Sequence, residues 1–493
     1  MYIRSLRIKN LKRLHDLALS FTHEDGSPRM WTVLIGENGT GKTSILQAIA
    51  LAAAGQLRVN DLVGSSFVHL VDRRQTEALE IDASFCFTPS NLKQSQDLHP
   101  LHPAPVPAEL LLQSRVSLER EETSLRAQAW YGEGQPDPQS GGKDPLDNAR
   151  SKELRHWFVI GFGVRRNLPS VGHTPDLARP SVDRMKSLFG SEHALISTSF
   201  LSHFVEDKAR SYSAALKSAI IDTDVLPTDL SDLELRGKSG VAKASDLLER
   251  ERFHQTLGAT NVKVPAVALA HGYQSTIAWI ADLVGHILLE SDENGVAPKD
   301  FEGLVLIDEI DLYLHPKWQA QLIPALRKTF PKLQFVATTH SPVVLASLVP
   351  DEVVRLEADS QTGHVQRITP DVETGEWDPV DKPGDLETQP DPRMMTATEM
   401  YRDYFGLDRL TLNPLGEEIR SYTALATHPH RNPIQQQQME SLRKRLNKAS
   451  VGSLEPPVPR PKAAKAVQTG EAKPRAARAV AKTSSATKPK SRS

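Results

Sequence analysis

Gly36-Glu37-Asn38-Gly39-Thr40-Gly41-Lys42-Thr43 is the stretch on which the reading of this chain turns. It fills every fixed position of the GxxxxGK[ST] spacing. Before it stands Trp31-Thr32-Val33-Leu34-Ile35, a nearly continuous apolar run with β-branched members, as a buried parallel strand requires. After it Ser44 to Ala54 (SILQAIALAAA) is rich in strong helix formers. The order is therefore strand, glycine loop, helix. Gly36, Gly39 and Gly41 let the backbone wrap close to phosphates and aim N–H groups at their oxygens, and the helix N-terminus adds a favourable field. Lys42 is expected to reach β- and γ-phosphates, and Thr43 to place its hydroxyl on Mg²⁺. Asn38, Thr40 and Ser44 complete the set of expected nucleotide-binding residues.

A phosphate loop alone leaves several reaction classes open, so the other motifs carry weight. Gly303 to Ile310 (GLVLIDEI) is an apolar strand ending in Asp308-Glu309. The first carboxylate is the metal candidate, and the second is placed to orient and polarise an attacking water. Phe335 to Pro342 (FVATTHSP) is a second apolar strand, which delivers His340 as a polar group able to sense a γ-phosphate. Leu269 to Thr276 (LAHGYQST) puts Gly272 at the start of a helix running toward Leu289, where backbone N–H groups can meet an anion.

In this order the motifs resemble those of the ABC-type ATPases of the SMC-like, RecF-like and OLD-like branch. Gly36 to Thr43 look like Walker A, Leu269 to Gln274 like the signature, Leu304 to Glu309 like Walker B, Asp311 like part of the D-loop and His340 like the H-loop switch. Ser5 to Lys12 is similar to the first strand of these heads. Leu314 to Gln319 (LHPKWQ) and Thr338 to Pro342 (TTHSP) look like text of bacterial ATPases linked to phage defence, a group that includes Septu-like and retron-associated ATPases. The resemblance covers residues 1–88 and about 260–357.

It implies an α/β fold, a P-loop NTPase of the ABC ATPase head type with an inserted, largely helical lid. It also implies ATP and Mg²⁺ as cofactors, Glu309, His340 and Lys42 as catalytic residues, and Thr43 and Asp308 at the metal. Two copies would sandwich two nucleotides, each site using the Walker residues of one copy and Gly272 of the other. A nuclease or other effector protein and DNA are the partners it suggests, and no membrane. The family's signature serine is Ala270 here, and His271 stands where related sequences often carry an acid. Losing that charge-assisted hydrogen bond would weaken nucleotide-bridged association by about 1.5–3 kcal/mol. Hydrolysis that is slow or partner-dependent is then expected. Gln75 is the candidate for the Q-loop glutamine.

Two other functions stay open at this level. A non-hydrolysing ATP- and DNA-binding scaffold is favoured by Ala270 and opposed by the intact Glu309. An OLD-like nuclease would need a strand-end glutamate and a later DxD-like set. After Leu356 there are Glu399, Asp403 and Asp408 but no apolar strand ending in such a set, and Asp222-Thr223-Asp224 reads as a solvated turn.

The 493 residues are 24% charged and 39% hydrophobic, which excludes collagen-like and membrane-dominated classes. The most apolar helical stretch, Ser275 to Leu289, carries Asp282 and His286 and is too short and too polar to span a bilayer. One cysteine, Cys86, and an N-terminus without an apolar signal core point to a reducing cytoplasm. Cys86 lies between Phe85 and Phe87 and is expected to be structural. The net charge of −2 conceals a net +8 over residues 455–493 and −10 before them. That tail holds no aromatic residue, Leu or Ile, so it is expected to be disordered and to suit polyanions. The expected organisation is a first ATPase half at 1–88 and an insertion with the helical lid at 89–260. The second half follows at 261–357, then a helical extension at 358–454 and the basic tail.

Overall fold

The computed structural model describes residues 1–64, 69–72, 77–87, 110–119, 122–132, 134, 144–150, 157–166, 180–190, 195, 206–222, 230–234, 252–294, 298–370, 377–379, 391–407, 414–428 and 430–448. Gln75, Asp224, Asp408 and the basic tail fall outside them. The described chain forms two compact units, Met1–Leu410 and one that begins at Thr411.

The first unit is organised by a seven-stranded sheet. Its parallel part consists of β3 (Trp31–Gly36), β7 (Val159–Phe162), β11 (Gly303–Ile307), β12 (Leu333–Thr338) and β13 (Val353–Ala358). Two antiparallel strands, β14 (Val365–Pro370) and β15 (Trp377–Pro379), extend one edge, giving the order β15-β14-β13-β3-β12-β11-β7. Side chains alternate between the faces, and both faces are covered. Val33, Ile35, Val305, Ile307, Phe335 and Ala337 enter one core with α3 (His271–Asn294) and α4 (Pro316–Thr329). Leu34, Leu304, Leu306 and Val336 enter the other with α1 (Lys42–Ala52). The strands read from the sequence and α1 therefore lie within two residues of their expected places, while α3 begins before Ser275 and runs five residues past Leu289.

A second sheet packs on the far side of α1. It is antiparallel, in the order β2-β1-β4-β5-β6, from β1 (Tyr2–Leu11), β2 (Leu14–Ser20), β4 (Leu79–Phe87), β5 (Leu110–Leu118) and β6 (Arg126–Tyr131). With sheets on both sides, nine of the eleven residues of α1 are buried, and the helix has no polar face. The hairpin expected from Tyr2 to Phe21 is β1 and β2. Cys86 is buried in β4.

Two boundaries differ from expectation. Residues 89–260 hold, among those described, the strands β5, β6 and β7 together with β8 (Leu230–Glu234) and β9 (Arg252–Leu257). Among the described residues there, the one helix longer than six residues is α2 (Glu206–Ile220), and strands and helices occur in similar measure. β5 and β6 complete the antiparallel sheet, β7 the parallel one, and β8 and β9 pair with β10 (Thr260–Val264) in a small sheet of their own. The reason is packing: Leu112, Ser114, Val116 and Leu118 alternate inward along β5 onto the core under α1. At the other end β14 and β15 carry the sheet past residue 357, and the unit continues to Leu410.

The second unit is a helix pair, α5 (Pro414–Thr427) and α6 (Pro433–Lys448), closed on Tyr422, Ala426, Met439, Leu442 and Leu446. Arg431 caps the end of α5 by donating to the carbonyls of Leu425 and Ala426, each at 2.9 Å. No helix among the described residues is long and apolar enough to cross a membrane.

Candidate functional site

Register places the chemistry. In the parallel sheet Ile307 lies opposite Phe162 and Ala337, and Thr338 opposite Leu34, so β3, β7, β11 and β12 end at one level. Whatever follows each strand meets at that edge. Gly36 turns the chain there at φ 150°, and a β-carbon on it would lie 2.3 Å from the Leu356 carbonyl oxygen. Only glycine lets β3 keep its ladder with β13 and still enter the loop.

A cavity of about 280 Å³ opens at this edge, lined by Asn38, Gly39, Gly41, Lys42, Thr43, Ser44, Asp308, Glu309 and His340, all expected from the sequence. Lys12, Arg13 and Thr338 line it too and were not expected. Gly36 and Thr40 shape the loop instead: the Gly36 carbonyl accepts from Lys42, and the Thr40 hydroxyl donates to the Glu37 carbonyl at 2.9 Å.

Lys42 is 7% exposed, and its Nζ donates to the carbonyls of Gly36 (2.7 Å) and Glu37 (2.8 Å). Burial lowers its pKa, while Asp308, Glu309 and Glu37 pull the other way. The Thr43 hydroxyl donates to Asp308 Oδ2 at 2.7 Å, and the Thr338 hydroxyl to Asp308 Oδ1 at 2.7 Å. Both carboxylate oxygens thus have a donor. The same Thr338 oxygen accepts the Glu309 N–H at 2.7 Å. Glu309 adopts φ 47°, the left-handed region, and its carbonyl accepts from Arg166 Nη2. Burial, then Asp308 and Asp311, raises the Glu309 pKa, a shift in the direction a proton acceptor near neutral pH requires. Burial and then Lys42 lower that of His340, which favours the neutral imidazole. Burial pushes the Arg166 guanidinium down to about 10, so it stays cationic at neutral pH.

A hydrogen-bonded relay ties the two longer motifs together behind this edge. Thr339 donates to Asp311 Oδ1, Ser341 Oγ to Gln319 Oε1 at 2.7 Å, and Gln319 Nε2 to the Leu314 carbonyl at 2.9 Å. Gly272, by contrast, is not brought to the cavity of its own chain. It lies in the first turn of α3, where a β-carbon would stand 2.5 Å from the Tyr313 carbonyl oxygen. Ala270 and His271 are exposed beside it, and the His271 ring meets Tyr313 edge-on at 4.7 Å.

A hydroxyl and a carboxylate 2.7 Å apart are hard oxygen donors of the kind Mg²⁺ takes together with waters and substrate phosphates. No cluster of three or more His, Cys, Asp and Glu residues suited to a metal exists among the described residues. The donor set thus fits an ion shared with a substrate rather than a cage made wholly of protein. Of the acids weighed for a nuclease site, Glu399 caps a helix by accepting the Thr396 N–H at 2.6 Å, and Asp403 pairs with Arg402.

Comparison with known proteins adds to this geometry. Residues 1–125 match the family model of an AAA ATPase domain, and residues 166–346 that of an AAA domain, putative AbiEii toxin, Type IV TA system. The fold is that of a P-loop ATPase. The chain is 24% identical over 450 residues to the Septu protein PtuA of Bacillus mycoides (strain KBAB4), covering 91% of this chain and 50% of that one. It is 44% identical over 97 residues to the Retron Ec83 probable ATPase of Escherichia coli, covering 20% and 18%. With the Septu protein PtuA of Bacillus thuringiensis it shares 33% over 129 residues, covering 26% and 33%. The chain thus spans half the length of the first of these relatives and a third or less of the others. Among solved structures, an SMC head bound to the C-winged helix domain of ScpA shares 13% identity at a TM-score of 0.44, covering 77% of this chain and 98% of that one.

Four residues escaped the sequence reading. Thr338 was read as strand text before His340, although a hydroxyl at the end of an apolar strand was the available signal. Arg166 follows β7 with no motif around it. Lys12 and Arg13 sit in the tight turn between β1 and β2, where Lys12 takes φ 53° and Arg13 Nη1 donates to the Gly39 carbonyl at 3.2 Å.

Proposed function

We propose that the chain is an ATP-hydrolysing conformational switch that works as a nucleotide-bridged homodimer and relays its state to an effector protein. The observation that carries this reading is the meeting of Lys42, Thr43, Asp308, Glu309 and His340 around one cavity. Glycine-loop N–H groups and Lys42 Nζ bind the β- and γ-phosphate oxygens, exchanging the Gly36 and Glu37 carbonyls for anionic partners. Thr43 and Asp308 hold Mg²⁺, a Lewis acid that offsets phosphate charge when bound. Glu309 orients the attacking water and takes its proton on a carboxylate oxygen. His340, neutral at Nε2 or Nδ1, donates its ring N–H toward the γ-phosphate and reports its loss.

The exposed start of α3 around Gly272 serves the site of a second copy, closing it and excluding water. Opening after hydrolysis changes the surface offered to a partner. The similarity to Septu and retron proteins, spread over 91% of this chain in one case, supports a place in phage defence, with a nuclease or other effector as partner and DNA as a polymer within reach. The cytoplasm is the compartment proposed for it.

Glu309→Gln should trap the sandwich: light scattering in Mg·ATP should give twice the 54.5 kDa chain mass, reverting without nucleotide. A chain that stays monomeric in ATP would refute the dimer. Ala270, exposed and without a hydroxyl, supports a second reading as a scaffold that binds ATP without hydrolysing it. Multiple turnovers by the pure chain would exclude that reading.

A further inference from the structure

Arg166 is a buried cation beside the acidic pair that the phosphate-loop chemistry does not use. It lies four residues beyond the end of β7, whose ladder with β11 closes where the Asp308 N–H donates to the Phe162 carbonyl at 2.8 Å. From there the side chain crosses to the next residue, and Nη2 donates to the Glu309 carbonyl. Arg166 is 1% exposed, and its Nε has no hydrogen-bond partner among the described residues. Burying a cation with an unsatisfied donor is costly, and such a group persists where charge or geometry needs it. Here the attraction comes from Asp308, Asp311 and Glu309.

What Arg166 holds is unusual backbone. Glu309 is a non-glycine residue at φ 47°, a conformation that the surroundings must enforce. Its N–H is fixed by the Thr338 hydroxyl and its C=O by Arg166, so the residue is gripped on both sides and its carboxylate is aimed from a fixed Cα. Lys42 turns to the loop carbonyls of Gly36 and Glu37 instead, and Arg13 to that of Gly39.

We propose that Arg166 is a positioning residue for hydrolysis, which clamps the Glu309 carbonyl so that its carboxylate faces the attacking water. The inference rests on the hydrolytic role given above to Glu309. Loss of the clamp frees the Glu309 backbone to leave the left-handed region, which lowers the rate of the chemical step and leaves the phosphate loop intact.

The test uses the full chain with Arg166→Met, Arg166→Gln, Glu309→Gln and the Arg166→Met/Glu309→Gln pair. ATP affinity is read with a fluorescent ATP analogue, kcat and KM by phosphate release, and the Glu309→Gln background by single-turnover cleavage of labelled ATP. Arg166→Met should lower kcat at least tenfold with ATP affinity within threefold of wild type. In the Glu309→Gln background it should lower the residual rate less than twofold, because the group it positions is already gone. A kcat within threefold of wild type overturns the proposal. So does an equal loss in both backgrounds, which marks a merely structural cation. If Arg166→Met fails to bind ATP, Arg166→Gln is judged by the same criteria, and loss of binding in both also overturns it. A wild-type chain that never turns ATP over defeats the hydrolytic reading itself, whereas an active wild type insensitive to Arg166 defeats this inference alone.

Discussion

Replacing Thr338 with valine removes one hydroxyl and keeps the shape of a side chain that is fully buried. In the native protein that oxygen donates to Asp308 Oδ1 and accepts the Glu309 N–H, each at 2.7 Å. Valine leaves the N–H without a partner, at about 1–3 kcal/mol, and takes from a carboxylate a hydrogen bond of about 1.5–3 kcal/mol. Both contacts share one atom and are not additive, so the expected loss of stability is about 2–4 kcal/mol. Thr338→Ser, which keeps the hydroxyl and gives up a methyl group, should lose about 1 kcal/mol. Urea unfolding followed by fluorescence of the buried Trp31 and Trp279 measures both. The same substitution loosens Asp308 and Glu309 together, so kcat should fall at least tenfold for valine and less than threefold for serine. A valine variant within about 0.5 kcal/mol of wild type and at full turnover would refute the idea that this hydroxyl organises the acidic pair.

Two further outcomes follow from particular contacts. Gly36→Ala sets a β-carbon 2.3 Å from the Leu356 carbonyl oxygen at a φ of 150°, so β3 must part from β13; urea unfolding should show a loss of about 3 kcal/mol, and ATP binding should fail with it. His286 is fully buried in α3 and its pKa is held well below 6.5 by burial and then by Arg184. The unfolded chain therefore binds the extra proton, and stability falls as pH drops below about 6.5, by up to about 1.4 kcal/mol per pH unit. His286→Gln should flatten the thermal stability profile between about pH 6.5 and pH 5; an unchanged slope would assign the acid sensitivity elsewhere.

The sequence made legible what neighbours along the chain decide. The order from Trp31 to Ala54 announces strand, loop and helix because apolar branching, glycine and helix formers follow one another within a few turns. Asp308, Glu309 and His340 are recognisable because each stands within three residues of the end of an apolar run. Thr338 and Arg166 were not, since their roles depend on which strand ends lie side by side, and that is fixed by pairing across more than a hundred residues in the case of β7 and β11. β5 and β6 fall inside the stretch expected to be an insertion, between HPLHPAPVPAE and GEGQPDPQSGGKDP, whose prolines and glycines mask strand patterning. The inward alternation of β5 and β6, with the Arg115–Asp82 ion pair at 2.6 Å across to β4, shows instead two regular strands. Lys12 and Arg13 read as a charged turn, and only the fold brings that turn over Gly39.

The central claim is that Lys42 and Glu309 serve one hydrolytic site with separate duties. ATP turnover by the purified chain, with and without duplex DNA, beside Lys42→Ala and Glu309→Gln, tests it most directly. The account predicts Mg²⁺-dependent multiple-turnover phosphate release that both substitutions abolish, leaving only slow single-turnover cleavage in Glu309→Gln, with ATP binding lost in Lys42→Ala and kept in Glu309→Gln. Turnover that survives either substitution, or a wild-type chain that binds no nucleotide, would contradict it.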